Sequence, residues 1–173
     1  MSGKTLDKLD IRLLSELFKD SRTSFSKLSK ILKVPRTTII NRVERLIKNG
    51  IVRKFTIIPG YQNLGYIFLA FVLVRVRRGG GVRVSSTQVS LAKRILEESS
   101  MRENLPWVEE AHIITGEYDI LLKVRAKNWE EISRFLIEYL AGLEEVEHTN
   151  TLLCLLTVDE QRTPPLARDF EKR

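Results

Sequence analysis

The apolar residues of this chain change period once, and that change limits the folds open to it. Up to Ile47 they recur at helical spacing, and beyond Gly50 most of the chain alternates between strand-like runs and two helical stretches. Leu6, Leu9, Leu13, Leu17 and Phe18 recur at three- and four-residue steps and predict a first helix. Asp7 and Asp10 lie at its start, where negative charge suits the helix dipole. Ser24 is placed to cap a second helix, Phe25 to Leu32, burying Phe25, Leu28, Ile31 and Leu32. Lys33 and Val34 make a short turn, and Pro35 suits the start of a third helix. That helix buries Ile39, Val43, Leu46 and Ile47 and stops at Gly50. Ile51 to Ile58 is rich in β-branched residues and reads as a short ribbon, and Pro59, Gly60, Asn63 and Gly65 mark a connector.

The second half predicts strand, helix, strand, strand, helix, strand. Ile67 to Arg77 is a long strand, broken by Gly79, Gly80 and Gly81. Thr87 to Met101 is helical, with Val89, Ala92, Ile95 and Leu96 on one side. Glu110 to Thr115 and Ile120 to Arg125 are strands joined by a tight turn, Gly116 to Asp119. Trp129 to Leu140 is a helix with Ile132, Phe135, Leu136 and Tyr139 inward, and Glu147 to Val158 is a last strand. The order βαββαβ is the ferredoxin-like pattern, so the fold class expected is α+β. A faint echo supports it: Leu105-Pro106-Trp107-Val108-Glu109 and Leu143-Glu144-Glu145-Val146-Glu147 each follow a helix and enter a strand. The expected divisions are 1–54, a connector over 55–66, 67–158, and a tail over 159–173 that is loose or packs on a partner.

Charge divides at the same boundary as the period. Residues 1–60 hold fourteen Lys/Arg against five Asp/Glu, and residues 61–173 hold fifteen against seventeen. Between Arg22 and Lys54, ten basic residues meet one acid, Glu44. A cationic N-terminal block on a nearly neutral remainder is the footprint of phosphate binding. Set at about 100° per residue, the third helix puts Ile39, Ile40, Val43, Leu46 and Ile47 on one side and Thr37, Thr38, Asn41, Arg45 and Lys48 opposite, with Arg42 on the flank. Asn reads adenine, Arg reads guanine and the Thr methyl meets thymine in a major groove. Arg36 lies at the helix start, where recognition helices meet bases. Lys27, Lys30, Lys33, Arg53 and Lys54 are assigned to phosphate, which positions without specifying. A solvated basic face is common on any helix, but here helix, turn, helix and ribbon coincide with the charge. The expected partner is double-stranded DNA. Arg22 is expected to pair with acids of the first helix instead.

Other classes find less support. His112 and His148 are the only histidines and lie in strand patterns, too few for a metal site, and no metal or cofactor is expected. No Ser-His-Asp or Cys-His arrangement suggests nucleophilic catalysis, so the chain is read as a non-enzyme. Cys154 is the only cysteine, which fits a reducing compartment. The longest apolar run, Tyr66 to Val74, is about nine residues against the roughly 20 that span a bilayer, and no signal peptide is evident. A cytoplasmic location without membrane association follows as the expectation.

The order and spacing of Leu6-Asp7-Lys8-Leu9-Asp10, Asp20-Ser21-Arg22, Gly50-Ile51-Val52, Leu64-Gly65-Tyr66, Gly116-Glu117-Tyr118-Asp119 and Thr149-Asn150-Thr151 resemble the Lrp/AsnC (leucine-responsive, feast/famine) transcription regulators over nearly the whole chain. The resemblance implies a winged helix-turn-helix followed by a ligand-sensing RAM/ACT-like αβ domain. It implies homodimers, assembled in some members into tetramers or octamers, that bind palindromic promoter sites. It also implies an amino-acid effector held at Gly116, Glu117, Tyr118, Asp119, Thr149 and Thr151. There Asp119 or turn carbonyls would accept from the ammonium, and turn amides and Thr hydroxyls would donate to the carboxylate. Two alternatives travel with the resemblance: a nucleoid-shaping protein that binds DNA broadly, and an enzyme similar to siroheme-type decarboxylases. The stretch from Arg77 to Val84 is longer and more basic than the family's usual connection.

Overall fold

The computed structural model describes residues 6–77, 84–160, 164 and 166, with side chains described at these positions except 84–86. The Gly79–Gly81 stretch therefore lies outside the described residues. The backbone forms two units, Met1–Ile58 with Asp159–Arg173, and Pro59–Val158.

The first unit holds α1 (Lys8–Lys19), α2 (Phe25–Leu32) and α3 (Arg36–Lys48). Asp7 caps α1 in a reciprocal box: its carboxylate accepts from the Asp10 amide at 2.8 Å, and the Asp10 carboxylate accepts from the Asp7 amide at 3.1 Å. The Ser24 hydroxyl accepts from the Lys27 amide at 3.2 Å and caps α2. α2 ends at Lys33, which adopts the left-handed conformation (φ 57°). The Ser29 hydroxyl donates to the Val34 carbonyl at 2.5 Å and the Val34 amide to the Ser29 carbonyl at 3.1 Å, closing the sharp turn into α3. Gly50, at φ +71°, ends α3 with its amide on the Ile47 carbonyl at 2.9 Å.

Leu13, Leu14, Leu17, Leu28, Leu32, Ile39, Val43 and Leu46 form the core of this unit. Ile31 and Ile47, expected inside, are 39% and 46% exposed. Each lies roughly a quarter turn from the centre of its helix's buried stripe, beyond the reach of the three-helix wedge. The tail is not wholly loose: Leu166 packs against this core of its own chain. The ribbon expected over Ile51 to Ile58 is not a strand. A strand needs a ladder partner, and among the described residues this segment has none. Phe55, Ile57 and Ile58 are 48%, 79% and 64% exposed.

The second unit opens with a single 3₁₀ turn, Tyr61–Leu64, followed by β1 (Phe68–Val76), α4 (Val84–Met101), β2 (Trp107–Ile113) and β3 (Ile120–Ala126). α5 (Trp129–Arg134) continues as a wider π-helical stretch, Phe135–Leu140, before β4 (Val146–Leu153). The sheet order is β2-β3-β1-β4, with every neighbouring pair antiparallel, as the βαββαβ order predicts. Val72, Val74 and Val76 of β1 pack with Ile120, Leu122 and Val124 of β3 beneath Leu91, Ala92 and Ile95 of α4 and Phe135, Tyr139 and Leu140. Val89, expected inward, is 41% exposed, and Leu91 fills that side instead. β2 starts earlier than expected and carries a bulge between Val108 and Glu110. β4 stops at Leu153 rather than Val158; the Cys154 amide makes one more bond to β1, to the Leu69 carbonyl at 2.8 Å, and 155–158 lie at or beyond the start of β1 at Phe68.

Candidate nucleic-acid interface and effector site

The cations of the first unit fall into two groups. Arg36, Thr37, Asn41, Arg45 and Lys48 are exposed along α3, and Thr38 is half-buried. Lys27, Lys30 and Lys33 are exposed on α2 and the turn, and Arg53 and Lys54 on the segment after α3. Among the described residues, Lys27, Lys30, Lys33, Arg36, Lys48, Arg53 and Lys54 have no carboxylate within 4 Å. They form a cationic field in which, among the described residues, none of them is held in an ion pair.

Arg42 and Arg45 differ. Arg42 Nη1 donates to Asp7 Oδ2 at 2.5 Å and to Asp10 Oδ1 at 2.8 Å. Arg45 Nη2 donates to both oxygens of Asp10, at 2.7 and 2.6 Å. Asp10 is fully buried, and these two guanidinium groups neutralise it. Desolvation pushes the Asp7 carboxyl up, but the Arg42 hydrogen bond and charge outweigh it and hold Asp7 below the usual carboxylate range. The Asp7 bond likewise raises Arg42. These bonds fasten α3 across the start of α1. Arg22, expected to take that part, has no ion pair among the described residues; its backbone amide donates to the Asp20 carboxylate at 2.9 Å. Pairing across 32 and 35 positions leaves no periodic trace in a sequence.

The turn after β2 is shaped by Gly116 at φ +120°, a conformation that side-chain-bearing residues rarely adopt. The Asp119 amide donates to the Val74 carbonyl at 2.9 Å, fixing the turn to the end of β1. Both Asp119 carboxylate oxygens are used by the fold: Oδ2 accepts from the Val76 amide at 2.8 Å and Oδ1 from Gln88 Nε2 at 2.6 Å. Gln88, from α4, is a partner that no sequence pattern signalled. Glu117 is exposed, and the Tyr118 ring stacks on His148 with centroids 6.2 Å apart. Thr149 pairs with Val74 and Thr151 with Val72, which places both on the helix-covered face of the sheet. His148, and with it the Tyr118 ring, lies on the other face. The structure thus brings all six predicted residues to one end of the sheet but divides them between its two faces.

That other face carries a second cluster missed by sequence reasoning. Glu109 accepts from Arg125 Nε at 2.6 Å and from the Tyr61 hydroxyl at 2.8 Å, with Lys123 Nζ at 3.2 Å. The Arg125 guanidinium lies 3.5 Å from the Tyr61 ring centroid. All three charged side chains are at most 10% exposed. Among the described residues no group of three His, Cys, Asp or Glu side chains converges as a metal site, and no described helix is long and apolar enough to cross a membrane.

Residues 6–47 match the AsnC-type helix-turn-helix domain, and residues 69–164 match the Lrp/AsnC ligand binding domain. The chain belongs to the Lrp/AsnC family. This Lrp/AsnC protein is 42% identical over 156 residues to the uncharacterized HTH-type transcriptional regulator PH1916 of Pyrococcus horikoshii, covering 90% of this chain and 97% of the relative. It is 33% identical over 162 residues to the HTH-type transcriptional regulator FL11 of Pyrococcus abyssi, covering 94% and 97%. Its fold matches the transcriptional regulator NMB0573 from Neisseria meningitidis, solved as an L-Met complex, at 22% identity and a TM-score of 0.80, covering 96% and 100% of the two chains. The chain is a transcriptional regulator of the Lrp/AsnC type, built as a DNA-binding helix-turn-helix and an αβ ligand-binding domain.

Proposed function

We propose that this regulator binds roughly palindromic promoter sites as a homodimer in the cytoplasm, with residues 1–54 reading DNA, 55–66 connecting, and 67–158 sensing and assembling. The observation that carries the reading is the coincidence of the uncompensated cations with the open polar face of α3. Thr37, Thr38 and Asn41 face bases, with Arg36 at the helix start. Lys27, Lys30, Lys33, Lys48, Arg53 and Lys54 hold phosphates. Arg42 and Arg45 orient α3 through Asp7 and Asp10, and the half-exposed guanidinium of Arg45 remains within reach of DNA. Two copies related by a two-fold axis would set half-sites about one helical turn apart.

The experiment is fluorescence anisotropy on a panel of duplexes at several salt concentrations. Affinity falls steeply with salt through counterion release. Asn41→Ala flattens the ranking of sites, whereas Lys30→Ala weakens all duplexes alike. An unchanged ranking in Asn41→Ala would remove its base-reading role.

The sensing end is the β2–β3 turn with the first half of β4. Glu117, the turn amides and the hydroxyls of Thr149 and Thr151 offer donors and acceptors for an amino acid, completed by a neighbouring copy because one chain divides them between two faces of its sheet. Asp119 supports the turn rather than meeting the ammonium. The L-Met complex of a protein with this fold supports the ligand class. Thermal unfolding against a panel of amino acids tests it: a ligand at 100 times its Kd adds about 2.7 kcal/mol.

A further inference from the structure

A cleft of about 340 Å³ opens at the far end of β2 from the sensing turn, between the end of α4, the start of β2 and the start of α5. A seven-residue strand puts it roughly 20 Å from Gly116. Its wall is aromatic. Tyr66 and Trp107 are both half-buried, with ring centroids 5.8 Å apart and planes inclined at 51°.

Four charged side chains line it, and two of them are already engaged. Arg102 pairs with Glu98 at 2.8 Å. Glu131 accepts from the Lys127 backbone amide at 2.9 Å at the start of α5. The remaining two have opposite sign. Lys127 and Glu103 are exposed, and neither has an ion-pair partner among the described residues. The Lys127 ammonium stands 5.5 Å from the Tyr66 ring centroid, where the ring face favours the cation without neutralising it. An anion alone in this cleft meets Glu103, and a cation alone meets Lys127. A molecule carrying both charges complements both, and its apolar part has the Tyr66–Trp107 wall to lie on. The volume admits a ligand of amino-acid size.

We propose that this cleft binds a small zwitterion bearing an aromatic or large apolar group, at a site separate from the β2–β3 turn. None of its lining residues belongs to that turn or to β4, so the two sites stand or fall independently.

The chain has two tryptophans, so a Trp129→Phe background leaves Trp107 as the reporter. Trp129 is 55% exposed and its replacement is mild. Titration with L-phenylalanine, followed by tryptophan emission, is expected to give a saturable change with a Kd of about 1 mM or tighter. Lys127→Met and Glu103→Gln each weaken it by about tenfold or more. Phenethylamine and 3-phenylpropionate, with one charge each, bind at least about tenfold more weakly than the amino acid. Thr149→Ala, at the turn site, leaves the Trp107 response unchanged. Absence of saturation up to about 10 mM overturns the proposal. Full affinity in Lys127→Met or Glu103→Gln, or loss of the response in Thr149→Ala, overturns it equally.

Discussion

Asp10 is the one charged side chain that the described part of the DNA-binding unit buries completely. It is fully buried, caps its own helix start and takes three bonds from Arg42 and Arg45. Asp10→Asn keeps the volume but removes the charge that both guanidinium groups answer. Breaking a buried pair from one side costs about 3–5 kcal/mol; because both arginines keep some solvent contact, the expected loss is about 2–3 kcal/mol by urea unfolding. Loss of DNA affinity should follow, since Arg45 loses its anchor and only the Arg42–Asp7 pair still holds α3 to the start of α1. Asp7 adds a pH dependence with a definite sign. Its folded pKa lies below the ordinary 3.8, so its contribution is complete above that value and is lost as pH falls through the folded one. Acid unfolding of wild type should therefore show a loss below pH 3.8 that Asp7→Asn lacks.

At the scale of elements, two turns hold left-handed conformations, one at a residue that pays for it and one at a glycine that does not. Lys33 sits in the left-handed region at φ 57°, a conformation that costs a side-chain-bearing residue roughly 1–2 kcal/mol. Lys33→Gly is expected to raise the thermal stability of the helix-turn-helix by about 0.5–1 kcal/mol while weakening binding to all duplexes, because a phosphate contact is given up for relief of strain. An equal affinity would remove Lys33 from the interface. At Gly116 the space is open: a Cβ meets nothing within 4 Å, so only the backbone resists. Gly116→Ala should cost about 1–3 kcal/mol from the φ of +120° alone, read by thermal unfolding, and should distort the turn that Asp119 ties to β1.

For the molecule as a whole, the surfaces left open carry the argument for assembly. The face of the sheet away from the helices presents Phe71, Leu73 and Leu121 half-buried and Leu152 at 52% exposure. Leu155, Leu156 and Val158, beyond the end of β4, are 95%, 78% and 92% exposed. An open apolar face of this kind is the surface that the proposed homodimer would bury. On the proposed homodimer, Leu152→Asp should shift the dimer–monomer equilibrium toward monomers in sedimentation velocity without lowering monomer helicity, since Leu152 is not in the core. A wild type that stays monomeric at every concentration would contradict the homodimer.

Much of this protein was legible from residue order alone. Helical period, capping residues and β-branched runs are local properties, so three helices, the Ser24 cap and the Gly50 stop, the βαββαβ order and the cationic face of α3 could all be read directly. What needed the tertiary structure was every pairing across distance. Helical spacing reports only which face Arg42 and Arg45 occupy, and the buried Asp10 they pair with is visible only once α1 and α3 pack. The bonds from the Val76 amide and Gln88 to the Asp119 carboxylate are likewise visible only in the folded chain. The segment from Ile51 to Ile58 has the composition of a strand, but within one chain no strand lies beside it among the described residues, and a ladder partner is not a local property that composition reports.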